Sequence, residues 1–390
     1  MSEKPLHILF LPKWYPNEYD IFDGNFIENH AHSVKLVAQV SVIFVHSESK
    51  SENTYRLTQQ NNQGINEIRV FFKKATSKIG VWNKVVTLFR YFQAQQLAYK
   101  QLLKTHGAPN LSHVHVLTRS ALLAIHLKMK QNIPFVITEH WSGYLKANGL
   151  YKGFLKKMGT ELVVKQASGI TTVSSQLKEA MQGHRLLGEY TVIPNVVDTK
   201  VFVPIETNHS RTEILFVGNL LQMPKRILDI IRSMNVLKQH YSNFHLSIVG
   251  EGVDEKACQE LINELSLNQE VTLKGTLNRA EVAKTMGESD FLILFSYFEN
   301  QPCVINEALS CGIPILVPDI PGIAERMNEE LGIMIPTGDL EAFDAALLKM
   351  CNSHGKYSKQ SIRAFAEQEY SEQSIGQQFL TVYQNALKHG

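Results

Sequence analysis

Short apolar runs alternate with longer stretches of helical period along the whole chain. In the first half the runs cover residues 7–11, 40–45, 113–117, 135–138 and 169–173, and in the second residues 213–217, 245–249, 271–273, 291–295 and 314–317. Runs of continuous rather than alternating Val, Ile and Leu belong to strands covered on both faces, which means parallel sheets flanked by helices. The pattern therefore predicts an α/β protein of two doubly wound parallel-sheet units. Ligands of such sheets bind beyond the carboxyl ends of the strands, so two units facing across a cleft would put function in the strand-to-helix loops.

A chain of 390 residues exceeds one ordinary core and suits two. The stretch Val192-Ile193-Pro194-Asn195-Val196-Val197-Asp198, followed by the polar residues 206–211, marks the passage between them and places the boundary near 198. The expected division is 1–198, 199–372 and a terminal helix over 373–390, whose Ile375, Phe379, Val382, Tyr383 and Leu387 recur at helical spacing.

Composition narrows the class. Apolar residues make up 44% and charged residues 19%, the balance of a globular protein, which excludes dominant disorder. Charge is uneven: residues 1–190 hold 23 Lys and Arg against 12 Asp and Glu, or +11, whereas the remainder holds 16 against 25, or −9. The first half should attract anionic partners or an anionic membrane surface, and the second should not. Cys258, Cys303, Cys311 and Cys351 show no paired spacing, and the first residues lead into a strand rather than a signal peptide, so a reducing cytoplasm is expected. No apolar stretch reaches the length of a membrane span, which leaves peripheral attachment to the inner face of the membrane open.

The chemistry concentrates in residues 298–314, FENQPCVINEALSCGIP. Residues 291–295 read as a buried strand and 296–301 as a loop, Pro302 suits the first turn of a helix, and Gly312 with Pro314 ends that helix. A strand-loop-helix junction of this kind presents free amides at a helix N-terminus, where a phosphate can sit. Glu299 in the loop and Glu307 in the helix add carboxylates that accept hydrogen bonds from adjacent sugar hydroxyls. Diols plus phosphate describe a sugar nucleotide. The plainer alternative is that Glu307 complements the helix dipole while Glu299 is a solvated loop residue.

Glu299 and Glu307, followed by Ala308, Gly312 and Pro314, resemble the E-x7-E signature of the family 4 retaining glycosyltransferases, the "glycosyl transferases group 1" of GT-B architecture. In the family's order, Val192 to Asp198 resembles its I-P-N-G-V-D segment, Leu215-Phe216-Val217-Gly218 through Lys225 its V-G-R-L…K loop, and Ser247-Ile248-Val249-Gly250-Glu251-Gly252 its I-V-G-x-G strand end. The resemblance spans most of the chain from about residue 110 onward and is weaker before it. It implies two Rossmann-like domains facing across a cleft, the first binding acceptor and the second a nucleotide-diphosphate sugar, with the terminal helix crossing back to the first. It further implies that Glu307 holds the ribose hydroxyls and Glu299 a hydroxyl of the donor hexose. Lys225 would neutralise the diphosphate with backbone amides of Gln301, Cys303 and Val304, in the segment Asn300-Gln301-Pro302-Cys303-Val304, and Gly218 would lie beside it. Two positions depart from the family: Asn219 stands where arginine is usual, and Arg226 where glycine follows the lysine. Arg226 is the candidate to supply the displaced charge.

In the first half, Gly24 after the first strand and its loop matches the place of the family's glycine-rich turn toward the donor phosphates, or is simply a helix-entry turn. Thr138-Glu139-His140 resembles the T-x-H segment whose histidine lies beside the donor sugar, and a strand end is where a histidine meets a ligand. His113 and His115 fall inside a strand and are expected to be packed. The catalytic candidates are thus His140, Lys225 and Glu299. Residues 71–104 carry seven basic and no acidic residues among Val81, Trp82, Val85, Leu88, Phe89, Tyr91 and Phe92. Residues 144–165 add Lys146, Lys152, Lys156 and Lys157 among Leu145, Leu150, Tyr151, Phe154 and Leu155. Such mixtures suit the interface of an anionic bilayer and a lipid-linked saccharide acceptor, or form a basic face whose aromatics fill the core.

The sequence has no D-x-D triplet and no His, Cys or Asp cluster at metal-ligand spacing, so no metal or cofactor is expected. The resemblance implies a retaining hexosyl transfer to a saccharide or lipid-linked saccharide in cell-surface polysaccharide synthesis, from a UDP or GDP sugar. Nucleic acid is not an expected partner. The alternatives are a sugar-nucleotide epimerase or phosphorylase on a related scaffold, or a two-lobed sugar-binding protein without chemistry. No G-x-G-x-x-G follows a strand, which disfavours a dinucleotide-dependent oxidoreductase.

Overall fold

A computed structural model describes residues 5–48, 53–76, 80–117 and 119–388; Lys78, His389 and the side chain of Val81 lie outside the described residues. The chain forms two compact units, Met1–Pro194 together with Glu372–Gly390, and Asn195–Ser371.

The first unit contains β1 (His7–Pro12), α1 (Asn25–Lys35), β2 (Gln39–Glu48), β3 (Tyr55–Asn62), β4 (Ile65–Lys73), α2 (Gly80–Thr105), β5 (Leu111–His115), α3 (Ala121–Gln131), β6 (Phe135–Glu139), α4 (Phe154–Gln166), β7 (Gly169–Thr172), α5 (Ser175–Gly183) and β8 (Tyr190–Val192). Its sheet runs β3-β4-β2-β1-β5-β6-β7-β8, parallel apart from the β3–β4 hairpin. Successive side chains of β1 serve opposite faces. Leu9 and Leu11 join one core with Tyr91 of α2, Leu123 and Leu127 of α3 and Val164 of α4. Phe10 lies on the other face, its ring 4.8 Å from that of His113 and 4.5 Å from that of His115.

The second unit contains β9 (Thr212–Val217), α6 (Ile227–Lys238), β10 (Phe244–Val249), α7 (Glu255–Glu264), β11 (Val271–Gly275), α8 (Arg279–Gly287), β12 (Phe291–Ile293), α9 (Cys303–Ser310), β13 (Ile315–Pro318), α10 (Pro321–Ala324), β14 (Gly332–Ile335), α11 (Leu340–Ser353) and α12 (Lys359–Tyr370). Its wholly parallel sheet has the order β11-β10-β9-β12-β13-β14. The strand order reverses between β9 and β12, the switch point at which doubly wound sheets open a crevice for ligands. After α12 the chain enters α13 (Glu372–Lys388), which belongs to the first unit and packs against α1. The two helices approach so closely that a Cβ on Gly376 would stand 2.4 Å from the Ser33 carbonyl oxygen, so only glycine fits there.

Several local expectations change. β3, β4, β8 and β14 are additional strands, and residues 71–73 of the basic and aromatic segment close β4. Phe71 and Phe72 are both buried there, Phe72 against Tyr91 of α2 and Phe71 beside the rings of Tyr19 and His46. The strand expected over 113–117 ends at His115, and that over 291–295 ends at Ile293. Pro302 is the N-cap of α9, with an extended ψ of 121°, so the first helical residue is Cys303. No described helix is long and apolar enough to cross a membrane.

Candidate functional site

The switch point of the second unit brings together the loop after β9, which ends in Lys225 and Arg226, and the loop after β12, which carries Glu299, Asn300 and Gln301. Glycines let the backbones meet. A Cβ on Gly250 would stand 2.1 Å from the Gly218 carbonyl oxygen, and one on Gly252 2.2 Å from that of Leu220, so the I-V-G-x-G strand end is shaped to lie against the V-G loop. Gly218 itself sits beside the lysine, its absent Cβ 3.9 Å from Lys225 Cε.

Lys225 Nζ donates to Glu299 Oε1, which also accepts from Ser296 Oγ at 2.8 Å. Two sequence candidates from different loops therefore form one half-buried ion pair. Arg226 is placed differently. With a left-handed φ of 56° it caps α6, and its guanidinium donates to Asp229 Oδ2 at 2.7 Å and to the Gly338 carbonyl at 3.0 Å. The same group lies over the rings of Phe295 and Tyr297, at 4.2 and 4.7 Å, so its charge is already shared among protein partners. Gln301 is buried as a clamp: its Oε1 accepts from Asn195 N at 2.7 Å, its carbonyl from Asn195 Nδ2 at 2.9 Å, and its Nε2 donates to Asn306 Oδ1 at 3.1 Å. The I-P-N segment is thereby tied to the start of α9.

Beyond the Pro302 cap, Cys303 and Val304 occupy the first turn of α9, where amides have no carbonyl one turn back. Glu307 follows Cys303 by one turn and shares its face. Among the described residues no group hydrogen-bonds its carboxylate. Loss of water around it pushes its pKa up to about 7, with the Arg279 guanidinium pulling the other way. Burial also pushes the Cys303 thiol up to about 12, Glu307 adding to the effect and Glu299 contributing less, so this cysteine stays protonated. A carboxyl poised near neutrality, an ion pair and a bare helix N-terminus make a surface that can accept hydroxyl hydrogens and donate to anionic oxygens.

In the first unit Gly24 is the N-cap of α1 with φ 66°, and a Cβ there would stand 2.4 Å from the carbonyl carbon and oxygen of Trp14, so this helix entry requires glycine. His140 directly follows β6 and is nearly buried among Phe26, His30 and His115, with ring centroids 4.6, 5.3 and 5.7 Å away. His113 and His115 are buried as expected. His113 bridges Tyr383 of α13 and Thr138 of β6.

The fold also assembles what spacing along the chain could not show. One ring nitrogen each of His30, His115 and His140 lies within 4.8 Å of the others. His30 Nε2 lies 3.1 Å from the Pro194 carbonyl, which can only accept, so Nδ1 is the bare nitrogen and is buried without a partner. His115 Nδ1 and His140 Nε2 are 3.4 Å apart while their ring centroids are 5.7 Å apart. The two nitrogens thus face each other along the line between the rings, as in an N–H···N hydrogen bond rather than two lone pairs converging on an ion. Among the described residues, Arg279, Asn306 and Ser296 are polar residues around the candidate site of the second unit that motif spacing did not single out. Their positions depend on which loops the sheet order makes neighbours.

The model described as "Glycosyl transferases group 1" matches residues 198–367, and that described as "Glycosyltransferase Family 4" matches residues 38–201. The lipopolysaccharide 1,6-galactosyltransferase of Escherichia coli strain K12 is 29% identical over 189 residues, 45% of this chain and 50% of that protein. The chain spans about half the length of the curated relatives it matches. Among solved structures, sucrose-phosphate synthase from Thermosynechococcus elongatus superposes with a TM-score of 0.74 at 16% identity, over 99% of this chain and 100% of that one. Anabaena HepE, solved in complex with UDP and glucose, superposes with a TM-score of 0.66 at 14% identity, over 97% and 99%. The two parallel-sheet units define a GT-B fold. The chain belongs to the group 1 glycosyltransferases, in family 4.

Proposed function

We propose that the protein is a retaining, metal-independent hexosyltransferase whose second unit binds a nucleotide-diphosphate sugar. The observation that carries this reading is the Lys225–Glu299 pair at the switch point, next to a bare helix N-terminus and the unbonded carboxyl of Glu307. The binding of UDP and glucose by Anabaena HepE supports the class of donor. In this reading Glu307 accepts hydrogen bonds from the ribose hydroxyls and Glu299 from a hexose hydroxyl. Gly218 lets the diphosphate approach the backbone, and Lys225 with the amides of Cys303 and Val304 carries its charge in place of a divalent cation. The bond between the anomeric carbon and the diphosphate oxygen breaks, and its electron pair leaves with the diphosphate. The acceptor oxygen bonds to that carbon on the same face, and its proton passes to the departing diphosphate. His140 orients a sugar hydroxyl on the first unit. The acceptor is a saccharide or lipid-linked saccharide of the kind handled in cell-surface polysaccharide synthesis, as the lipopolysaccharide galactosyltransferase relative suggests.

A thermal-shift screen of UDP, GDP and ADP sugars tests the donor reading, since a ligand that prefers the folded state raises Tm. One nucleotide class is expected to stabilise the wild type and to lose that effect in Glu307→Gln. The gain should also shrink as pH falls below about 7, where Glu307 takes up its proton. Stabilisation that is unchanged by the substitution and flat from pH 6 to 8 rejects the role of Glu307. Incubation of the stabilising donor alone, with phosphate and with saccharides then separates transfer from epimerisation and phosphorolysis.

Peripheral membrane contact is part of the same proposal. Trp82 and Phe89 of α2 are each 59% exposed, and Phe154 and Leu155 of α4 are 79% and 75% exposed, with Lys84, Lys152 and Lys157 beside them in sequence. Both helices pack against α3 and so share one side of the sheet. Tyr91, Tyr144, Leu145 and Tyr151 of the same segments are buried, so the aromatics divide between core and surface. Large apolar side chains interleaved with lysines suit an anionic bilayer. The protein should float with anionic vesicles at low salt, and Phe154→Glu with Leu155→Glu should abolish flotation without lowering Tm. Equal recovery with neutral and anionic vesicles would reject the contact.

A further inference from the structure

The carboxyl ends of β1 and β6 in the first unit carry a second arrangement that the donor chemistry leaves unused. Lys13 follows β1, and Trp141 follows His140 after β6. Lys13 Nζ lies 4.5 Å from the centroid of Trp14 and 5.9 Å from that of Trp141. Lys156, on the first turn of α4, places its Nζ 3.8 Å from the Trp141 centroid and 5.5 Å from that of Tyr151. Two ammonium groups thus converge on one indole. Among the described residues neither has a carboxylate or hydrogen-bond partner; their contacts are with aromatic rings.

Unpaired like charges do not gather in a partly dry site without a cost, because each raises the energy of the other. Burial lowers the pKa of Lys13, and Lys156 and Arg119 lower it further against the opposing pull of Glu139 and Asp23. Burial lowers that of Lys156 as well. The nearby carboxylate, Glu139, is already committed: its oxygens accept the amides of Leu117, His140 and Trp141 at 3.0, 2.9 and 2.9 Å. Burial raises its own pKa to about 6, so at neutral pH it is mostly ionised and sets one negative charge against two ammonium groups. An incoming anion would satisfy both ammonium groups, and the indole beside them offers an apolar plate for the carbon face of a sugar ring.

We propose that Lys13, Trp141 and Lys156 form an acceptor subsite for a saccharide that carries an acidic group, a phosphate or a carboxylate. This rests on the transferase reading above for its place in the reaction, but the subsite binds by itself. The test measures binding to the full chain without donor, by tryptophan fluorescence and calorimetry at low salt, using methyl glucuronide, glucose 6-phosphate, methyl glucoside and UDP as probes. The two acidic sugars should bind at least about ten-fold more tightly than the neutral glucoside, the scale of one partly desolvated ion pair. Lys13→Met and Lys156→Met should each remove most of that preference, Lys13→Arg should retain it, and UDP should not compete. Because each lysine is an unpaired, desolvated charge, the two methionine variants should also melt no lower than wild type, which separates loss of binding from loss of fold. Equal affinity for acidic and neutral sugars overturns the proposal, as does competition by UDP, which would assign the lysines to the donor diphosphate. Donor stabilisation in the thermal-shift screen is unaffected by either outcome, so failure of this subsite and failure of the donor reading are distinguishable.

Discussion

Lys225→Ala is expected to lower turnover by about a hundred- to a thousand-fold, the usual loss when one preorganised charge is removed from a developing anion. Two effects combine. The diphosphate leaving group loses the ammonium that stabilises it, and Glu299 loses the partner that holds its carboxylate, leaving Ser296 as its remaining side-chain donor. The fold should survive, because the pair lies between two loops at the edge of the core rather than inside it. Lys225→Arg should recover part of the rate, since the charge remains while the tetrahedral ammonium is exchanged for a planar group. The measurement is kcat and KM with the donor identified by thermal shift, alongside Tm for each variant. A Lys225→Ala protein that turns over within ten-fold of wild type while fully folded would remove the electrostatic basis of the proposed mechanism.

Acidification from pH 7 toward 4.5 should lower the stability of the first unit. His30 is fully buried, and that burial lowers its pKa to about 4 against a Pro194 contact that raises it. The unfolded chain binds a proton near pH 6.5 and the folded one does not, so the contribution is intact above that value and is lost as pH falls toward 4. For His30 alone this amounts to about 3 kcal/mol. His113 and His115 shift in the same direction, both chiefly through burial. Glu139 opposes them: its folded pKa is raised to about 6, so it gains stability as pH falls from there toward 4.5, by about 2 kcal/mol. Asp23, whose folded pKa burial likewise raises to about 6, opposes them too, but it is only partly buried whereas the three histidines are fully buried, so the histidines prevail. Trp14, Trp82 and Trp141 are the three tryptophans of the chain and all lie in the first unit, so tryptophan fluorescence in urea reports that unit alone. Its midpoint should fall between pH 7 and 4.5, and His30→Gln should flatten the decline. An unchanged midpoint across this range would show that the cluster opens without cost.

The parallel strands were legible because their burial on both faces leaves continuous apolar runs, and this holds for β1, β2, β6, β9 and β10. β3 was not, because Thr58 to Asn62 are polar and form the exposed edge of the sheet, where pairing with β4 rather than burial makes the strand. β8 and β14 are too short to show a period. The site divides in the same way. Glu299, Glu307 and Lys225 announce themselves by residue type beside a strand end, whereas the Lys225–Glu299 pairing depends on β9 and β12 becoming neighbours. The displaced charge assigned to Arg226 could not be judged from sequence, since Asp229 is local but Gly338 and Tyr297 reach it only through tertiary packing. The histidine cluster and the Lys13–Trp141–Lys156 convergence each join segments far apart in the chain, and no spacing rule encodes them.

The return of α13 to α1 sets an order on biosynthesis. Residues 195–371 form a contiguous body that can close while still near the ribosome, but the earlier body waits for a helix translated after it. Until then the face of α1 around Ser33, and the rings of His30 and His113 that meet Phe379, remain uncovered. Nascent chains paused before Glu372 should therefore engage chaperones through their amino-terminal half, while the segment made later is already protected from protease.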